Sequence, residues 1–176
     1  PQVAYYPYTA ANNNREYFTL RGEIPSTQSM SSTVNCVYRY GENKGTYADG
    51  GQFTFHELLP YIHVKISAAG TDIKEDEVLE SATLTVTRDG AAVPLCGEFV
   101  FNGNDGSNLK ATSTTSNNEI NLDWGKKATL KDVLSGYITI LPEIRVGDEL
   151  CVEVVTNGHK ATYSTKAMVD VEPGFV

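Results

Sequence analysis

The sequence predicts an all-β chain, and three observations predict it. Short runs with apolar and polar residues at alternate positions recur from residue 61 onward, the period of a strand with one buried and one wet face. Gly, Asn, Asp and Pro separate these runs and supply the turns. Helical spacing is thin: Asp72 to Leu79 and Leu130 to Leu134 offer a turn or two each, too short to be stable without packing.

Each element follows from its residues. The first segment, 1–54, is rich in tyrosine, polar residues and loop signals, with Asn12-Asn13-Asn14, a Ser/Thr cluster from Ser26 to Thr33, and glycines between Gly41 and Gly51. Near residue 55 the composition changes to a regular strand series, so a domain boundary is expected at 54/55. In Ile62-His63-Val64-Lys65-Ile66 three aliphatic side chains share one face, and His and Lys take the other. Ala82 to Thr87 repeats the scheme with threonines outside, and Arg88-Asp89-Gly90 supplies a tight turn. Further strands are expected at Val93 to Phe101, Glu119 to Trp124 and Tyr137 to Leu141. Leu150, Val152 and Val154 form one face of the next strand, with Cys151 and Glu153 on the other; Asn157-Gly158 then turns the chain into a returning strand over Lys160 to Val169. Asn102 to Asn118, rich in Asn, Gly, Ser and Thr, reads as a long exposed loop or ragged hairpin.

Composition narrows the function classes. The 40% hydrophobic fraction suits a packed core. With 14 basic against 22 acidic residues, a net charge of −8 disfavours nucleic-acid partners and anionic lipid, which both require basic surfaces. No apolar run approaches the ~20 residues of a membrane-spanning helix. Pro1 to Tyr8 has neither the basic start nor the apolar stretch of an export signal, and the chain reads as one lacking an N-terminal part. Cys36, Cys96 and Cys151 are too far apart for CxxC chemistry; they read as small buried or half-buried hydrophobes, or as one disulfide plus a free thiol.

The sequence offers no catalytic, cofactor-binding or metal-binding residues, and no cofactor is expected. HExxH, the nucleophile elbow and the Walker loop are absent. Of the three histidines, His56 is expected to pack between Phe55 and Leu58, and an odd spacing across Pro60 separates it from His63 on a strand. Asn102 to Asn108 lacks the Asp-rich start of a calcium loop, and Ser113 stands where the bidentate Glu would fall. Glu75, Asp76, Glu77 and Glu80 read as a solvated acidic face. Tyr5, Tyr6, Tyr8, Tyr38, Tyr40 and Tyr47 crowd the first segment; strand packing is the leading reading, with protein contact or sugar stacking as alternatives.

Several motifs in order carry a family resemblance. Residues 53 to 66, Phe53-Thr54-Phe55-His56-Glu57-Leu58-Leu59-Pro60 onward to Ile66, resemble the pattern that opens the C-terminal domain of fimbrillin-like proteins of Bacteroidales. Ala4-Tyr5-Tyr6-Pro7-Tyr8 is similar to a strand late in that family's N-terminal domain, and Tyr137 to Glu143 to its strand ending in Pro-Gln. Gly147, the hairpin at Asn157-Gly158 and the step Val171-Glu172-Pro173-Gly174-Phe175 follow in the family's order. The resemblance implies two transthyretin-like β-sandwich domains, with 1–54 the remaining part of the first and 55–176 the second. It further implies an exported, outer-membrane-anchored lipoprotein at the cell surface. In this family a subunit adds a strand to its neighbour, which is physically reasonable because an unpaired edge offers a ladder of backbone donors and acceptors. None of the three cysteines matches the lipid anchor.

The expected function is therefore a non-enzymatic structural or adhesive subunit of surface fimbriae. Its expected partners are other fimbrial subunits, with host protein or glycan as further candidates. The alternative is a glycan-binding surface module.

Overall fold

Alternation becomes strands along most of the chain. The computed structural model describes residues 2–12, 19–30, 36–43, 52–102, 111–115 and 117–173. Among these the one helical element is a 3-10 turn at Ala10–Asn12; Asp72 to Leu79 and Leu130 to Leu134 form turns and strand starts instead of helix. The strands are β1 (Gln2–Tyr6), β2 (Thr19–Ile24), β3 (Thr27–Ser29), β4 (Arg39–Asn43), β5 (Thr54–Glu57), β6 (Tyr61–Ile66) and β7 (Leu79–Arg88). They continue as β8 (Ala91–Ala92), β9 (Gly97–Asn102), β10 (Ala111–Ser113), β11 (Glu119–Asp123), β12 (Leu134–Thr139), β13 (Glu149–Thr156) and β14 (Lys160–Lys166). The chain is all-β.

The largest sheet has six strands in the order β14-β13-β7-β11-β3, with β8 paired to β7. Its inner face is the apolar phase of the alternation: Ala82, Leu84 and Val86 of β7 are buried, as are Ile120 and Leu122 of β11 and Val154 of β13. Threonines 83, 85 and 87 take the other face, half-buried. Asp89 and Gly90 both adopt positive φ, 50° and 82°, the hand that matches strand twist in a two-residue hairpin. A two-stranded sheet, β12-β6, contributes Val64, Ile66 and Ile138 to the same buried cluster, an arrangement consistent with a β-sandwich.

Among the described residues two three-stranded sheets accompany these, β10-β9-β2 and β1-β4-β5. Phe99 and Phe101 of β9 are the largest side chains fully withdrawn from water. Tyr38 meets Phe99 edge-on at 4.9 Å and Tyr40 tilts against Phe101 at 5.0 Å, the geometry preferred by aromatic quadrupoles.

The division expected at 54/55 falls within the antiparallel β4–β5 ladder, which runs from Arg39↔Glu57 to Glu42↔Thr54. Two further ladders cross it: β2 pairs β9 antiparallel, and β3 pairs β11 in parallel. Residues from both sides share one hydrophobic cluster.

One polar stitch joins the sheets. The Gln28 side chain points inward from β3 and is almost fully buried. Its amide nitrogen donates to Thr139 O at 2.7 Å and its oxygen accepts from Thr139 N at 2.9 Å. It thus occupies the free edge of β12 as a neighbouring strand's peptide group would. Thr139 Oγ1 then donates to Cys36 O at 2.7 Å.

Candidate functional site

The inner face of the large sheet is covered unevenly. On the β3 side, Met30 packs against Gly136 of β12, and Gln28 binds Thr139. Across the sheet, the phase that buries Val86, Leu84 and Ala82 continues through Leu150, Val152 and Val154 into Thr165, Tyr163 and Ala161. Along this phase exposure rises. Val154 is buried, Leu150 and Val152 are half-buried, and Tyr163 is 67% exposed.

The margin of this surface is β14. It has seven residues and pairs with β13 from Glu149↔Lys166 to Val155↔Lys160; among the described residues its other edge has no strand partner. Lysines stand only at its two ends, and Ala161-Thr162-Tyr163-Ser164-Thr165 between them has high strand propensity. Exposed edges are usually blunted by Pro, bulges, inward charges or shortness. Apart from its terminal lysines, β14 carries none of these. The opposite edge, β3, is three residues long and therefore guarded.

A buried polar knot fixes the β13–β14 hairpin. Glu77 belongs to the run read as a solvated acidic face, yet its side chain is buried. Its carboxylate accepts from the Thr156 hydroxyl, from His159 Nδ1 at 2.6 Å and from Lys74 N at 3.2 Å. A Cβ on Gly158 would lie 2.9 Å from the Glu77 carboxyl carbon, so glycine is needed here for close approach. Asn157 completes the clamp, its N–H donating to Val78 O and its side-chain oxygen accepting from Val78 N, both at 3.0 Å. The Thr156 hydrogen bond, aided by Lys74 N and His159, holds the Glu77 carboxyl below its usual range despite burial. Only the Asn157-Gly158 turn was visible in the sequence; its partner lies about 80 positions away.

At the other end of the hairpin, Asp148 is buried. Arg88 grips it bidentately with Nε and Nη2 each at 2.8 Å, and Arg145 N adds a third bond. These bonds lower the Asp148 pKa, the Arg88 bond contributing most. Both knots rigidify turns.

The remaining sequence candidates disperse. His56 is exposed rather than packed: it stands opposite Tyr40 on β5, an edge strand of its sheet. His63 stacks on Tyr137 at 4.4 Å, and its Nε2 lies 2.7 Å from Ser135 Oγ. That pair sits on an exposed sheet face. The hollow of about 280 Å³ beside Arg21, Glu23 and Glu98 and the larger one of about 550 Å³ beside Lys74 and Asp132 contain no histidine. Among the described residues no three His, Cys, Asp or Glu side chains converge as a metal site. Also among these residues, no helix is long and apolar enough to cross a membrane.

All three cysteines are free. Cys96 is wholly buried, and burial pushes its thiol up to about 11. Cys36 is half-buried and raised to about 11 by the same cause. Tyr38 and Tyr40 pack into the core, Tyr5 is half-buried against Tyr8, and Tyr6 and Tyr8 are exposed. Tyr47, residues Gly103 to Asn108 of the run read as a turn and not a calcium loop, and Gly174-Phe175 lie outside the described residues. No family profile, curated protein or solved structure matches the chain.

Proposed function

We propose that this chain is a structural, non-catalytic subunit of a cell-surface fimbria and joins its neighbours by β-strand addition. One observation carries the reading: β14 presents a seven-residue edge beside an inner face on which Leu150 and Val152 are half-buried and Tyr163 is 67% exposed. An incoming extended segment would gain backbone hydrogen bonds along the edge and apolar contacts with alternate residues. The ordered motifs from Tyr5 to Gly174 support the same assignment through their likeness to fimbrillin-type chains. Within this proposal the sandwich is transthyretin-like, and the protein is exported and held at the outer membrane or in the fimbria. Net charge of −8 suits an exposed, soluble assembly that does not bind nucleic acid.

Immunogold electron microscopy with antibody against the purified chain tests this on the cells that produce it. Label along filaments outside the envelope is expected. Label confined to the cell interior would overturn the assignment.

A further inference from the structure

The outward face of the sheet β1-β4-β5 carries a second, independent feature. The inward phase of this sheet includes Val3, Tyr5 and Tyr40, packed against the core. Register then places two outward rows side by side: Tyr6↔Arg39↔Glu57 and Ala4↔Gly41↔Phe55. Tyr6 is 55% exposed and Phe55 48%.

Phe55 is held against the sheet, not projected from it. A Cβ on Gly41 would stand 3.1 Å from Phe55 Cδ1 and 3.3 Å from Cε1, so the ring uses the space that a side chain would fill. Half-buried Ala4 continues this low floor toward β1. Tyr6 and Phe55 are offset by two strands and two residues, about 10 Å across and about 7 Å along. Phe53 lies beside Phe55, ring centroids 6.4 Å apart, and Tyr6 stands across Arg39 and Gly41 from this pair, so the aromatics bracket a shallow strip.

Beside the floor lies a fixed polar pair. Arg39 Nε donates to Glu57 Oε1 at 2.6 Å, and the Tyr61 hydroxyl donates to Glu57 Oε2 at 2.7 Å. With Nε engaged and the side chain half exposed, the guanidinium's terminal amino groups remain available as donors. The pair is neutral in sum.

We propose that this face binds a neutral oligosaccharide, whose pyranose C–H faces stack on Phe55 and Tyr6 while its hydroxyls bond Arg39 and Glu57. Chemistry selects this ligand. A polyhydroxylated ring needs both apolar faces and in-plane donors and acceptors, which this strip alternates. A neutral strip on a chain of net charge −8 gives acidic polymers no electrostatic attraction. The backbone offset between Tyr6 and Phe55, about 10 Å across and about 7 Å along, is longer than one pyranose and favours an oligomer. This site does not depend on strand addition at β14.

The test is NMR titration of the folded chain with maltotetraose, cellotetraose, mannotriose and, as the acidic probe, a heparin-derived tetrasaccharide. At least one neutral probe is expected to shift resonances of Tyr6, Arg39 and Phe55. Phe55→Ala and Tyr6→Ala should each weaken its binding about tenfold, equivalent to about 1.4 kcal/mol, whereas Tyr163→Ala should leave it unchanged. Amide spectra establish that each variant is folded, and Arg39→Gln, which leaves both rings in place, provides a second reading of the same strip. Binding only by the heparin fragment, binding indifferent to both ring substitutions, or no binding by any probe at millimolar concentration would overturn the proposal.

Discussion

Replacing Gln28 by Leu perturbs the stitch between sheets with little change in side-chain volume. The native amide makes two short bonds to the Thr139 backbone and a longer one, 3.3 Å, to Pro25 O. Thr139 is wholly buried, so neither its N–H nor its C=O can turn to water. Each orphaned group costs about 1–3 kcal/mol, giving about 2–6 kcal/mol for the two Thr139 groups, with the leucine's gain in apolar burial offsetting the weaker loss at Pro25 O. With a urea m-value of about 2 kcal/mol/M, a loss of 3 kcal/mol would lower the unfolding midpoint by about 1.5 M. Gln28→Glu sharpens the test. A carboxylate still accepts from Thr139 N but repels Thr139 O, whereas the protonated acid can donate to that oxygen. Its deficit relative to the native chain should shrink between pH 7 and pH 4. Urea denaturation of all three proteins at both pH values checks the argument. A Gln28→Leu midpoint within about 0.3 M of the native value would refute it, since so small a shift corresponds to about 0.6 kcal/mol at that m-value.

Other expectations follow from the same geometry. Glu77 and Asp148 have lowered native pKa values, so in acid the unfolded chain binds more protons than the native one. Their stabilisation is present above the ordinary carboxylate range near pH 4 and is lost as pH falls through the depressed native values. Glu77→Gln should flatten the acid limb of a plot of melting temperature against pH, and an unchanged limb would count against the clamp. Phe101→Ala, which removes a wholly buried ring beside Tyr40, should destabilise by about 3–5 kcal/mol in chemical denaturation. Cys96 should resist iodoacetamide in the native protein and react once unfolded, because its thiol is buried and hard to ionise; mass spectrometry of the labelled peptides reads this directly.

The strands of the second half were legible because each states its own period. Ala82 to Thr87 buries Ala, Leu and Val in strict alternation, and Asp89-Gly90 forms the turn its residues predict. The partners of the first segment were not legible. β2 pairs with β9 and β3 runs parallel to β11, more than 70 and 90 positions away, and such pairings leave no local trace. Composition changes near residue 55 because tyrosines crowd one side of it, yet tyrosine in β4 packs on phenylalanine in β9. Glu77 shows the same limit from the polar side. Within its acidic run nothing distinguishes it from Glu75 or Asp76; only the approach of Thr156, Gly158 and His159 makes it a buried ligand of the hairpin. Likewise Phe55 reads as one more strand aromatic until register sets it over Gly41.

Strand addition at β14 is most directly tested by amide hydrogen exchange of the chain alone and in its assembled form. The account predicts that amides of Ala161 to Thr165 gain protection on assembly, together with shielding of the inner face at Leu150 and Val152. Unchanged exchange across β14 in an assembly protected at some other edge would contradict it.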